Sequence, residues 1–141
     1  TSLPLVVVES NSMEHFDSFD LWWKAQEEYY EDFGITGNAI NEWSFQNGLN
    51  KGDIVLIQGR EFENLKVGDI IVFSPYSQNK AIIHRIVEIN GDYVQTKGDA
   101  NVGQISIEKD IKPEQIEGVA IVRLPYLGWI KLFFVEAFKG V

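Results

Sequence analysis

The sequence predicts a mainly β protein interrupted early by one helical insertion, and three observations carry that expectation. Short runs rich in Val and Ile recur along the second half of the chain, punctuated by Gly-Asp and Asn-Gly turn signals. Only over residues 19–33 does the pattern change: Leu21, Trp22, Ala25, Tyr29 and Phe33 fall at roughly helical spacing, with Glu27, Glu28, Glu31 and Asp32 between them. No low-complexity linker divides the chain, so residues 1–141 read as a single domain long enough to bury a core.

Each element has a local reason. Residues 5–8 read as a buried strand because three consecutive valines favour an extended backbone. A helix follows over 19–33, with Gly34 as its C-terminal cap. Thr36 starts a second short helix through Trp43, and Asn47-Gly48 reads as a turn. Together these make an aromatic, acidic helical insertion over about residues 16–47. Strands are then expected at 54–57, 70–73, 81–89, 93–96 and 119–124. Asn90-Gly91 is the clearest hairpin signal, since both residues tolerate the positive φ of a type I′ turn.

Composition narrows the function. With 45% hydrophobic and 23% charged residues the balance is that of a globular protein rather than a disordered one. A net charge of -9 gives no broad basic footprint, so nucleic acid is not an expected partner. The absence of cysteine removes disulfides and thiolate metal sites, and two histidines are all that is left for imidazole ligation. No apolar run of about 18 residues forms a complete membrane span. Both ends read either as cut edges, as expected of a soluble part of a membrane-anchored parent, or as the ends of an ordinary small protein. The stretch 129–138 reads as the start of such an anchor or as a terminal amphipathic helix.

Three residues carry the parts of a serine-nucleophile hydrolase in chain order. Ser12 places a hydroxyl where the first strand ends, and it needs an adjacent base to act as a nucleophile. His84 lies within a strand, sharing one face with Ile82 and Ile86 while Arg85 points the other way with Ile83 and Val87. His15, three residues from Ser12, reads as an exposed loop residue. Asp99 is the best carboxylate partner for His84, because the hairpin returns the chain beside the His84 strand. Glu108 and Asp110 are further carboxylates, either solvated loop charges or a second acidic contribution. In an extended stretch the Ser10 hydroxyl shares a side with Ser12 and joins the Ser12 backbone N–H in holding an oxyanion.

Four ordered segments, Ser10-Asn11-Ser12-Met13, Lys66 to Phe73, Ile83-His84-Arg85-Ile86-Val87 and Thr96-Lys97-Gly98-Asp99-Ala100-Asn101, resemble the boxes of type I signal peptidases. His84 stands where archaeal and endoplasmic-reticulum-type members carry histidine and most bacterial ones lysine. Gly118-Val119-Ala120 and Leu124 to Trp129 resemble the C-terminal strand and exit. The sequence departs from the family pattern at Asn11, often Gly, at His15, often Pro, and at Ile105, usually a second aspartate. That second acidic role falls to Asp110 or Glu108, with Gln104 as a polar substitute.

The resemblance implies a fold of coiled antiparallel β-sheets with the insertion after the nucleophile. It implies removal of signal peptides from exported preproteins carrying small residues before the cut, at the extracytoplasmic side of a membrane. Ser12 is then the nucleophile, His84 the general base, Asp99 its orienting acid and Ser10 an oxyanion donor, with no metal or organic cofactor. A self-cleaving repressor-type protease, which typically pairs serine with lysine, and a catalytically silent β interaction module are the alternatives. The insertion is expected to be a packed cap, with interfacial seating or substrate contact as its other roles.

Overall fold

The structure, a computed structural model, describes residues 4–125. Its elements are β1 (Leu5–Val7), α1 (Phe19–Glu31), α2 (Gly37–Ile40), β2 (Ile54–Gln58), β3 (Ile70–Phe73), β4 (Ile82–Asn90), β5 (Tyr93–Lys97) and β6 (Ile116–Leu124). The resemblance noted at residues 126–129 and the expected terminal helix or anchor lie outside the described residues.

The six strands form one sheet in the order β1-β2-β6-β3-β4-β5, with every neighbouring pair antiparallel. It curls into a half-barrel. Register shifts at Leu56/Ile57, Val72/Phe73 and Ile86/Glu88 add local twist of the kind that lets a sheet coil. Four reversals separate β1 from β4, so these two strands run in the same direction across the open side. Leu65, Ile71, Phe73, Ile86, Val94, Ile111 and Val119 fill the curl, and Val8, Met13, Leu49, Val55, Ile70 and Ala120 pack beneath the first loop.

The insertion has its own core of Trp22, Tyr30, Ile35, Ile40 and Trp43, docked on Val87 of β4. Ser18 caps α1, its side chain accepting the Leu21 N–H. At the other end Gly34, with φ 74°, lets the Gly34 and Ile35 N–H groups return to the carbonyls of Glu31 and Tyr30. The second helix is shorter than expected, a single turn that stops at Ile40. The hairpin forms with Asn90 paired to Tyr93 and a two-residue Gly91-Asp92 loop, and neither loop residue is left-handed, so the turn is not type I′. Among the described non-glycine residues only Phe45 has positive φ. Among the described residues no helix is long and apolar enough to cross a membrane.

Candidate active site

β1 delivers the loop that carries Ser12. After Val8, whose N–H donates to the Asp53 carbonyl at 2.9 Å, the chain turns at Asn11, with the Glu14 N–H on the Asn11 carbonyl at 3.1 Å. The turn presents Ser12 Oγ 2.9 Å from Nε2 of His84, across 72 residues of sequence. Ser10 Oγ lies 3.0 Å from Ser12 Oγ and accepts the Ser12 N–H at 3.4 Å. The Ser12 N–H is thus directed at the Ser10 hydroxyl, and both lie beside Ser12 Oγ.

His84 is buried, and its second ring nitrogen, Nδ1, is hydrogen-bonded to Glu108 Oε1. The fully buried Glu108 carboxylate also accepts the Thr96 hydroxyl at 3.1 Å and the Ile105 N–H at 3.0 Å. Residues Ser106–Glu108 form a 3₁₀ turn, so Glu108 caps the turn it belongs to and is aimed back at β4. A hydroxyl, an imidazole and a carboxylate thus stand in one hydrogen-bonded line.

Asp99 is not in that line, contrary to the expectation from sequence. Its buried carboxylate takes the Arg85 guanidinium side-on, with Nε at 2.9 Å and Nη2 at 2.8 Å, and His15 Nε2 at 2.8 Å. The alternation of β4 explains the division: His84 faces the curl and Arg85 the opposite side, and each collects the carboxylate on its own side. Burial alone would raise the Asp99 pKa, but the guanidinium and the His15 ring outweigh it and hold it down to about 2. Arg85 also donates to the carbonyls of Ser44, Phe45 and Gly68, which ties the exit of the insertion to the sheet.

His15 is likewise a correction, because its side chain is 1% exposed rather than on the surface. Asp110 pairs with Lys112 at 3.1 Å in solvent, and Gln104 accepts the Tyr29 hydroxyl, so neither joins the line. Lys97 is fully buried against the Tyr29 and Tyr30 rings, and burial lowers its pKa to about 8. Sequence reading missed Arg85, His15 and Trp22 as partners of Asp99; the signal present was Arg85 alternating with His84 on one strand. Among the described residues no three acidic or histidine side chains are placed to hold a metal ion.

A cleft of about 230 Å³ runs from the Ser12–His84 pair between β1 and the start of β4. Val6 and Val7 form one wall and Ala81, Ile82 and Ile83 the other, with Val72 among the lining residues. The cleft is therefore mostly apolar, with Ser12 and His84 among its lining residues.

The family described as signal peptidase, peptidase S26, matches residues 31–118, which hold His84, Asp99 and Glu108 but not Ser12. The chain belongs to the S26 signal peptidase family. Relatives include the signal peptidase complex catalytic subunit sec11 of Sclerotinia sclerotiorum, 29% identical over 107 residues, 66% of this chain and 60% of that protein. SEC11 of Scheffersomyces stipitis is 28% identical over 123 residues, 76% of this chain and 74% of that protein. SEC11C of Canis lupus familiaris is 26% identical over 99 residues, 63% and 52% of the two chains. This S26 member spans 60% of the length of the Sclerotinia protein.

Proposed function

We propose that this chain is the single catalytic domain of a serine endopeptidase that removes N-terminal signal peptides from exported preproteins. The observation that carries the reading is the 2.9 Å approach of Ser12 Oγ to His84 Nε2 in the lining of a mostly apolar cleft. His84 takes the Ser12 proton as Oγ attacks the scissile carbonyl carbon, and Glu108 fixes the ring with its proton on Nδ1 and stabilises the cation that forms. The Ser12 N–H and the Ser10 hydroxyl hold the oxyanion. Collapse expels the amine, which takes the proton from His84. Water, deprotonated by the same ring, then hydrolyses the acyl ester. Every step uses side chains of this chain and water.

β1 is an edge strand, and its free side faces the cleft, so an extended peptide can add to it through backbone hydrogen bonds. The walls of Val7, Ala81 and Ile82 favour small residues before the cut. The family and the relatives' names support a signal-peptide substrate; the proposed setting is a membrane, with this domain on its extracytoplasmic side.

The test is cleavage of a purified preprotein in detergent or lipid, with the new N-terminus identified by mass spectrometry. A single cut after a small residue is expected. An intact preprotein under conditions where the protein is folded, or cuts scattered through it, would overturn the assignment.

A further inference from the structure

A second set of contacts lies behind the Ser12–His84 pair. The turn at residues 98–101 is the common floor: the Ala100 N–H donates to the Ser12 carbonyl at 2.8 Å, and the Asp99 N–H meets Met13 Sδ at 3.3 Å. A Cβ on Gly98 would fall 2.9 Å from both His84 Nε2 and the Ser12 carbonyl oxygen, so glycine lets base and nucleophile loop rest on one spot. On the far side of that turn the Asp99 carboxylate joins Arg85, the neighbour of His84, to His15, three residues beyond Ser12.

His15 is held there by the insertion. Its ring stacks on Trp22 at 4.3 Å with an 11° tilt, and Trp22 Nε1–H donates to the Asp99 backbone carbonyl at 2.8 Å. Trp22 thus covers the ring and fixes the residue that the ring addresses. His15 Nδ1 is buried with no hydrogen-bond partner among the described residues. A proton on Nε2, given to Asp99, leaves Nδ1 as a bare lone pair, the cheaper way to strand a ring nitrogen. A buried ring with one polar atom unmatched calls for an explanation, and the directional bond from its other nitrogen supplies one.

We infer that His15 is a positioning residue, fixing Ser12 relative to His84 through Asp99, and that the insertion takes part in the active site by holding His15 through Trp22. This rests on Ser12 being the nucleophile. Misplacement of a reacting group by about 1 Å costs on the order of a hundredfold in rate, so the effect belongs in the acylation step rather than in substrate affinity.

Two amide replacements separate this role from packing alone. In His15→Gln the side-chain NH₂ reaches the place of Nε2 and still donates to Asp99; in His15→Asn it reaches only the place of Nδ1. The readouts are the rate at which Ser12 is modified by a small alanine phosphonate ester, followed by intact mass, and kcat and KM on a peptide substrate. His15→Asn should lose about ten- to a hundredfold in modification rate and in kcat with KM unchanged, and His15→Gln should recover most of it. Trp22→Phe, which keeps a stacking ring and loses the N–H, should fall between them. Equal rates for the Asn and Gln variants, or a change confined to KM, would overturn the inference. If His15→Asn does not fold, His15→Gln and Trp22→Phe both at the wild-type rate would overturn it. A wild-type protein modified no faster than Ser12→Ala would instead defeat the nucleophile assignment, and this inference with it.

Discussion

Asp99 and Glu108 follow the same strand, both are fully buried, and their surroundings are electrically opposite. Asp99 is matched by the permanent cation of Arg85, so its charge is already neutralised and is used to hold elements together. Glu108 is satisfied by a hydroxyl, a backbone N–H and the His84 ring. Its charge has no fixed guanidinium against it and is available to the imidazolium that appears during proton transfer. In the proposed mechanism Glu108 serves catalysis because of what it is not paired with.

The largest expected effect leaves that contrast intact: Ser12→Ala and His84→Ala should each lower kcat by about 10⁴-fold or more, and the double variant should be little worse than either. Steady-state cleavage assays on the three proteins check it. The contrast itself is tested next. Glu108→Gln keeps the volume but favours the wrong ring tautomer, and should reduce kcat by about 10³- to 10⁴-fold with little change in thermal midpoint.

Asp99→Asn should do the reverse. It strands a buried guanidinium at about 3–5 kcal/mol, visible as a lower urea midpoint, while kcat at a temperature where the variant is folded falls far less than in Glu108→Gln. If the Asp99 variant were stable and the more catalytically impaired, the two roles would have to be exchanged.

The same pair separates in acid. Asp99 has a folded pKa of about 2 against an ordinary 3.8, so the unfolded chain takes up its proton first as pH falls. Its contribution is fully present above about pH 4 and is lost as pH drops through 2. Urea melts between these limits should show a slope that Asp99→Asn removes. The smallest effect lies at the alkaline end. Lys97 is depressed to about 8 from 10.5, so between those values the unfolded state holds more protons and this residue's effect on stability improves with rising pH. Lys97→Met should flatten that stretch of the curve.

The strands were legible because Val and Ile runs with period two have few other uses, and His84 could be assigned to its face by that period alone. Ser12 was legible as a hydroxyl at a strand end. The choice between Asp99 and Glu108 was not, because chain direction brings both near β4. Which one meets His84 depends on a 3₁₀ turn with no strong signal in Ser106-Ile107-Glu108. His15 was misread for a related reason: what buries it is Trp22 on the insertion and a carboxylate 84 residues away. The expected type I′ turn failed because the register keeps Asn90 in the strand and puts Gly91-Asp92 at the turn, neither of them at positive φ.

The place of β6 has a kinetic consequence. Strands β1 and β2 lie on the Ser12 side of the cleft and β3, β4 and β5 on the His84 side; within the sheet the two groups of strands are paired only through β6, the last described strand. Contacts of such long sequence separation form slowly, since loop closure precedes any gain from pairing. During synthesis the Ser12 hydroxyl and the His84 imidazole are both made before the strand that joins their parts of the sheet. Closure of the sheet around Ser12 and His84 therefore waits for the strand at residues 116–124, which pairs with β2 on one side and β3 on the other.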